Sequence, residues 1–303
     1  MPITPCRPKW KGTMTDRERF NNQMHYRPVD RCFNMEDGYW NENYKVWRMF
    51  AENGITREHE ANQFFNFDRI AGAGGCIWLQ PGFGYSVVEE RETTRIMRND
   101  DGLLAEVPKD GHDTIPHFIQ ATVVTPDDWR KVKEERMRVD DPARILDVEA
   151  LKRRHPPTRD YPLGIYCGSM IGKIRDMLTF EGLAYACYDY PEMVEDMVET
   201  SCQLIEHMLD QVLGQIDFDY ASGYEDICFK NGPIVSMDFF KNVVTPRYKR
   251  IGRRLKAAGV NLWYTDCDGD VGPILPCLLE ASFNCLFPFE VNSCSHPAEL
   301  LNE

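Results

Sequence analysis

Apolar and polar positions along this chain fall into a repeating order of short apolar run, polar corner and amphipathic helix. Near the end, the apolar run Asn261 to Tyr264 stops at an acidic corner, Asp266-Cys267-Asp268-Gly269-Asp270. A helix-like stretch, Val271 to Ala281, follows, and a second apolar run, Cys285 to Phe289, ends in Glu290. Two strand-like runs separated by one helix make a βαβ unit of a parallel sheet. The same rhythm starts at Leu163. Leu163–Cys167 reads as a strand, Ile171–Leu178 as a helix and Ile216–Tyr220 as the next strand. Between them, Pro191 to Leu213 carries Met193, Met197, Leu204, Met208 and Val212 on one face of a long amphipathic helix. Ser236 caps a further helix, which Pro246 interrupts and Gly259 ends.

The first half is less regular. Thr15-Asp16-Arg17-Glu18 has capping-box spacing ahead of a helix over Arg19 to Tyr26. Cys32–Met35 and Asn62–Ile70 are strand candidates, the second carrying Asp68, and Tyr44 to Ala51 is a short helix stopped by Gly54. Gly72-Ala73-Gly74-Gly75 reads as a flexible loop, because the pattern a dinucleotide site needs does not follow it. From about residue 76 to 120 apolar positions alternate. Asp100-Asp101-Gly102 is a hairpin signal between Thr93–Arg98 and Leu103–Val107. This region is expected to be a β-rich excursion that decorates the main sheet. Thr125-Pro126-Asp127-Asp128 starts a charged helix, and Val139 to Pro157 is polar and basic without being a linker. The whole chain, 1–303, is expected to be one domain.

Strand alternating with helix means an α/β fold with parallel strands. Acidic residues recur just past the expected strands: Asp68, Glu225, Asp226, Asp266, Asp268 and Glu290. A barrel gathers all its strand ends at one mouth, where chemistry is done, so the recurrence favours a barrel over an open sheet.

Composition narrows the function. The chain has 35 basic and 48 acidic residues and a net charge of −13. Such a balance argues against a nucleic-acid groove or an anionic membrane surface as the main partner. No apolar run approaches bilayer-spanning length, and the first 20 residues lack an apolar signal core, so a cytoplasmic protein is expected. The 11 cysteines are scattered singly, as buried small hydrophobes are in a reducing compartment. The seven histidines show no metal-ligand spacing.

Five stretches then matter together: Met14 to Arg19 with Pro28 to Arg31, Gly164 to Gly168, Tyr188 to Glu192, Asn231 to Ser236, and Thr265 to Glu290. In order and spacing they resemble the uroporphyrinogen decarboxylase superfamily. These (β/α)8 TIM barrels include tetrapyrrole decarboxylases and cobalamin-dependent methyltransferases. The resemblance implies a uroporphyrinogen decarboxylase-type barrel. Six core strands are countable, Cys32–Met35, Asn62–Phe67, Leu163–Cys167, Ile216–Tyr220, Asn261–Tyr264 and Cys285–Phe289. Eight close a barrel, so the last two βα units are expected to be missing, leaving an edge for a second copy to cover.

Two departures from the family pattern steer the function. The decarboxylases carry an arginine- and glycine-containing loop after the first strand that grips substrate carboxylates. Here Cys32 to Trp40 holds no arginine after Arg31. The methyltransferases carry His-x-Cys-Gly for zinc, where this chain has Asp266-Cys267-Asp268-Gly269. Loss of the soft ligands counts against zinc and leaves the metal unknown; Asp-x-Asp with Glu290 suits a harder cation, or a cationic or hydroxylated substrate. The expectation is therefore a methyltransferase-like enzyme acting on a small methyl donor or a corrinoid protein at an acidic mouth. Tetrapyrrole decarboxylation is the alternative, and a catalytically silent binding or assembly protein is the reading of another class. Asp68, Asp266 and Asp268 are the catalytic candidates. Glu225, Asp226, Glu290, Tyr224 and Met170 are the candidates for substrate binding.

Overall fold

The computed structural model describes residues 3–110, 116–290 and 292–293. Four helices come first: α1 (Asp16–Met24), α2 (Asn41–Val46), α3 (Arg48–Glu52) and α4 (Glu58–Phe65). Strand β1 (Ala71–Ala73) follows, then β2 (Ser86–Glu90), β3 (Thr94–Arg98), β4 (Leu104–Pro108) and β5 (His117–Gln120). Helices α5 (Pro126–Arg136) and α6 (Val148–Arg154) lead to β6 (Leu163–Tyr166). Next come α7 (Gly172–Leu178), α8 (Phe180–Asp189), α9 (Pro191–Val212) and β7 (Tyr220–Tyr224). A small hairpin, β8 (Cys228–Phe229) and β9 (Gly232–Pro233), precedes α10 (Met237–Phe239) and α11 (Thr245–Ala257), which a π-helical turn at Phe240–Val244 joins. The described chain closes with β10 (Trp263–Asp266), α12 (Leu275–Glu280) and β11 (Cys285–Phe287).

Five strands form one parallel sheet in the order β1-β6-β7-β10-β11, and β2 to β5 form a separate antiparallel meander. The α/β class and the β-rich excursion are thus as the pattern predicts. Each strand of the main sheet lies beside the one before it in sequence. Among the described residues β1 and β11 are its edges.

The α9 stripe is core, as its spacing dictates: Met193, Met197, Leu204, Met208 and Val212 are all buried. They join Leu163, Ile165, Ala221 and Trp263 from one face of the sheet, with Ile251 and Leu255 of α11. Each such side chain stabilises the fold by about 1.5–3 kcal/mol through the water it leaves. Tyr220 and Tyr264 stack at 5.6 Å on the other face, where Phe20 and Phe33 cover them. Both capping boxes form: Thr15 with Glu18 at α1, and Thr125 with Asp128 at α5.

The strand list needs correction in the first half. Asn62–Phe67 is the end of α4 and its exit. Ala61 and Phe64 are buried three apart, acids fill the first turn, and Asn66 ends the helix in the left-handed region (φ 55°, ψ 46°). Cys32–Met35 is extended but joins no ladder. The Phe33 N–H donates to the Gln23 side chain, and the Asn34 N–H to Asp68. The glycine-rich stretch is not a loop: Ala71–Ala73 is the first strand of the sheet, in register with Leu163–Ile165. The count of six core strands therefore becomes five. Strands β6 and β11 start where expected, whereas β7 and β10 sit four and two residues further on, so Tyr224 and Asp266 are the last residues of strands rather than parts of loops.

Candidate active site

In a parallel sheet the carboxyl ends lie together. Here they bring Tyr166, Tyr224-Glu225-Asp226, Asp266-Cys267-Asp268 and the segment to Glu290 to one side. Backbone bonds stitch the ends to each other. The Glu225 N–H donates to the Asp266 carbonyl (2.8 Å), and the Cys267 N–H to the Phe287 carbonyl (2.9 Å). The Gly269 N–H reaches Glu290 Oε2 at 2.8 Å. Gly269 adopts φ +84°, and a Cβ there would lie 2.4 Å from the Cys228 carbonyl oxygen, so the corner closes only with glycine.

Above these ends is a cavity of about 840 Å³. Asp226, Asp268 and Glu290 line it from the sheet side, together with Asp176 and Arg175 of α7. Phe180, Phe229, Phe118 and Trp40 are its aromatic walls. The meander is more than decoration: Asn99, Asp101, Leu103 and Phe118 form one side of the cavity. It is fastened there by Lys173 to Asp101 (3.2 Å) and by the Trp78 indole N–H to Asp101 (2.6 Å).

Burial sets the electrostatics, and repulsion between carboxylates adds to it. Burial raises the Asp266 carboxyl, and Asp226, Asp268 and Asp37 raise it further, up to about 7. Burial also lifts Asp268, with Asp226 and Glu290 acting in the same direction. Asp226 Oδ1 is buried and makes no hydrogen bond among the described residues. A carboxyl poised near neutral pH among other carboxylates can both give and take a proton.

Other sequence candidates have different jobs. Glu225 is fully buried, and its carboxylate accepts the N–H groups of Met170 (2.9 Å), Ile171 (3.0 Å) and Gly172 (2.9 Å) and the Ser169 hydroxyl (3.1 Å). It caps the first turn of α7 from inside, a place where backbone donors welcome negative charge. Burial pushes its pKa up while those four donors pull it down. A Cβ at residue 172 would meet the Glu225 carbonyl oxygen at 2.2 Å, so glycine is required for this approach. Met170 is fully buried and does not line the cavity; its N–H serves Glu225 and the Tyr248 hydroxyl. Tyr224 donates its hydroxyl to Asp176 (3.1 Å), which positions a lining carboxylate rather than a substrate.

Asp68 lies elsewhere. It precedes β1, at the amino ends of the strands, and Arg31 grips it with two hydrogen bonds of 2.6 and 2.7 Å. Against the cost of burial, Arg31 and the Asn34 N–H hold its carboxyl below the usual range. Expected as a catalytic group, it is a structural ion-pair partner instead. Arg69, its neighbour in sequence, stacks on Tyr161 at 3.5 Å.

Several lining residues escaped the sequence reading. Asp101 looked like turn chemistry, and Asp176, Phe180 and Phe229 sit on helix or hairpin segments with no motif. Cys228 lines the cavity too. A hydrogen bond with the Cys267 thiol, added to burial, raises its pKa far above that of a reactive thiol. Among the described residues no three His, Cys, Asp or Glu side chains converge to ligate one metal ion. Nor is any described helix long and apolar enough to cross a membrane.

No protein-family model matches this chain, and no curated protein matches it. Among solved structures, a methyltransferase from Methanosarcina mazei is similar over 90% of this chain and 76% of its own, with 12% identity and a TM-score of 0.49.

Proposed function

We propose that this chain is an enzyme with a barrel-type domain of the uroporphyrinogen decarboxylase superfamily. On this reading it is methyltransferase-like and acts on a small molecule held in the acidic cavity. The sequence resemblance and the strictly sequential strand order support the barrel, since a doubly wound sheet reverses its order at a switch point. The observation that carries the function is Asp266. It does not itself line the cavity, but it ends a parallel strand, as catalytic residues of barrels do, beside the lining residues Asp226 and Asp268, and burial pushes its carboxyl up to about 7. A methyl group leaving a heteroatom as a cation equivalent leaves an electron pair behind. Protonated Asp266 can supply the proton that this atom takes up, and ionised Asp266 can take one from an incoming nucleophile.

A corrinoid does not fit inside this donor set. Among the described residues the lining carries no imidazole, and its one thiol, Cys228, is buried and held protonated. The methyl acceptor is on a separate molecule presented at the open mouth, and no step here runs through it. Tetrapyrrole decarboxylation is disfavoured by the same cavity. Among the described lining residues, five acids, Asp101, Asp176, Asp226, Asp268 and Glu290, outnumber the bases Arg175 and Lys230 even with Lys173 paired to Asp101, so a polycarboxylate would be repelled.

The test is methyl transfer from small methylated donors to free cobalamin, followed by absorbance. Wild-type protein should turn over, and Asp266→Asn should lose about 100-fold or more. Folded wild-type protein that transfers no methyl group from any donor, or that removes carboxylates from uroporphyrinogen, contradicts the reading.

A further inference from the structure

The cavity also speaks to the class of its substrate, and the inference that follows rests on reading the cavity as the substrate site. Two independent features point the same way. The first is an excess of carboxylates over bases in the described lining, which remains after Lys173 pairs with Asp101 and Arg175 with Asp176 and the Asp226 carbonyl. The second is a set of aromatic rings that the fold leaves uncovered. Trp40 is 70% exposed, and Phe118, Phe180 and Phe229 are 45%, 45% and 49% exposed. Phe180 and Phe229 meet edge to face at 4.8 Å, which fixes a two-ring wall. Rings held open to water beside carboxylates make a surface for a ligand that is both positive and apolar.

We propose that the cavity takes a small organic cation, a methylated ammonium or sulfonium centre. Its charge lies toward Asp226, Asp268 and Glu290, and its methyl groups rest on Trp40, Phe118, Phe180 and Phe229. A bare divalent ion would use neither the ring wall nor a volume of about 840 Å³. A neutral apolar ligand would desolvate the carboxylates without bringing them any positive charge. An anion would meet five acids. A methylated cation satisfies both features, and it is an activated methyl donor, because its leaving group departs neutral.

The experiment is calorimetric titration of the whole chain at mildly alkaline pH, where the carboxylates are charged. Choline is compared with neohexyl alcohol, its uncharged carbon isostere. Choline should bind at least about tenfold more tightly than the alcohol, and Asp268→Asn and Phe229→Ala should each weaken it about tenfold. Phe229 is exposed, so its variant should melt like the parent, which separates a binding effect from misfolding. Equal binding of choline and alcohol overturns the proposal. So does undiminished choline binding by both variants, or failure of choline, tetramethylammonium and trimethylsulfonium all to bind folded protein. Cation binding without methyl transfer upholds this inference and contradicts the enzyme reading. Methyl transfer from neutral donors with no cation binding does the reverse.

Discussion

The two ends of the parallel sheet handle acidic residues in opposite ways. At the amino ends every important carboxylate meets arginine. Asp68 is clamped by Arg31, and Asp219 accepts from Arg17 (2.7 Å), Arg159 (2.6 Å), Asn21 (2.7 Å) and the Leu163 N–H (2.9 Å). Both carboxyls are held below the usual range despite the desolvation that opposes it. At the carboxyl ends burial raises Asp266 and Asp268, and neighbouring carboxylates raise both further. One end spends its charges on holding α1 against the sheet. The other gathers Asp226, Asp268 and Glu290 along a cavity with Asp266 beside it, an arrangement expected where chemistry or binding happens.

The strongest way to break this contrast is at the amino ends. Asp219→Ala deprives Arg159, whose side chain is 1% exposed, of its carboxylate partner at 2.6 Å. Stability to urea should fall by about 3–5 kcal/mol, as when one partner of a buried ion pair is removed. A loss no larger than that of a surface substitution would erase the distinction. Glu225→Gln comes next. An amide offers its N–H₂ group to backbone donors of α7 that need an acceptor, so stability should fall by about 2 kcal/mol. Were the variant as stable as its parent, Glu225 would not be the internal cap of that helix.

The third test uses pH. An unfolded aspartate titrates near 3.8, and folded Asp266 near 7. Between those values the native state holds a proton that the unfolded state has lost, so this group's contribution to stability declines as pH rises through the window. Asp68 and Asp219, being lowered, give stability that is present above the unfolded value and lost only at lower pH. Unfolding midpoints measured across the series should therefore decline from about pH 4 to 7 in the parent and flatten in Asp266→Asn. The smallest effect is expected of Asp268→Asn. Relief of repulsion at this mostly exposed carboxylate should stabilise by roughly half a kcal/mol or less. A destabilised variant would mean that the carboxylate is satisfied rather than crowded.

Much of this architecture was legible in the chain itself. The last βαβ unit, the α9 stripe, the Thr15–Glu18 capping box and the hairpin at Asp100–Gly102 rest on local patterns that tertiary packing did not override. The first half was less legible. Ala71-Gly72-Ala73 is too short and too small to show the apolar alternation of a strand, and Asn62–Phe67 packs so many aromatic residues that helix and strand patterns coincide. At the site, Asp266, Asp268, Asp226 and Glu290 could be placed because strand ends announce themselves. Glu225 and Asp68 were misread because sequence shows a carboxylate and its position, but not the donors around it. The Asp68–Arg31 pair spans 37 residues and has no local signature. The aromatic wall needed the meander, α8 and the β8–β9 hairpin to meet, which only the fold reveals.

The claim on which the rest depends is that Asp266 titrates near neutrality because burial, reinforced by the neighbouring carboxylates, disfavours its charged form. Carbon-detected NMR of side-chain carboxyl groups, with Asp266→Asn to assign the resonance, reads that value directly. A midpoint near 7, lower in Asp226→Asn, is the expected result. A midpoint in the ordinary aspartate range, unmoved by that substitution, would contradict the account.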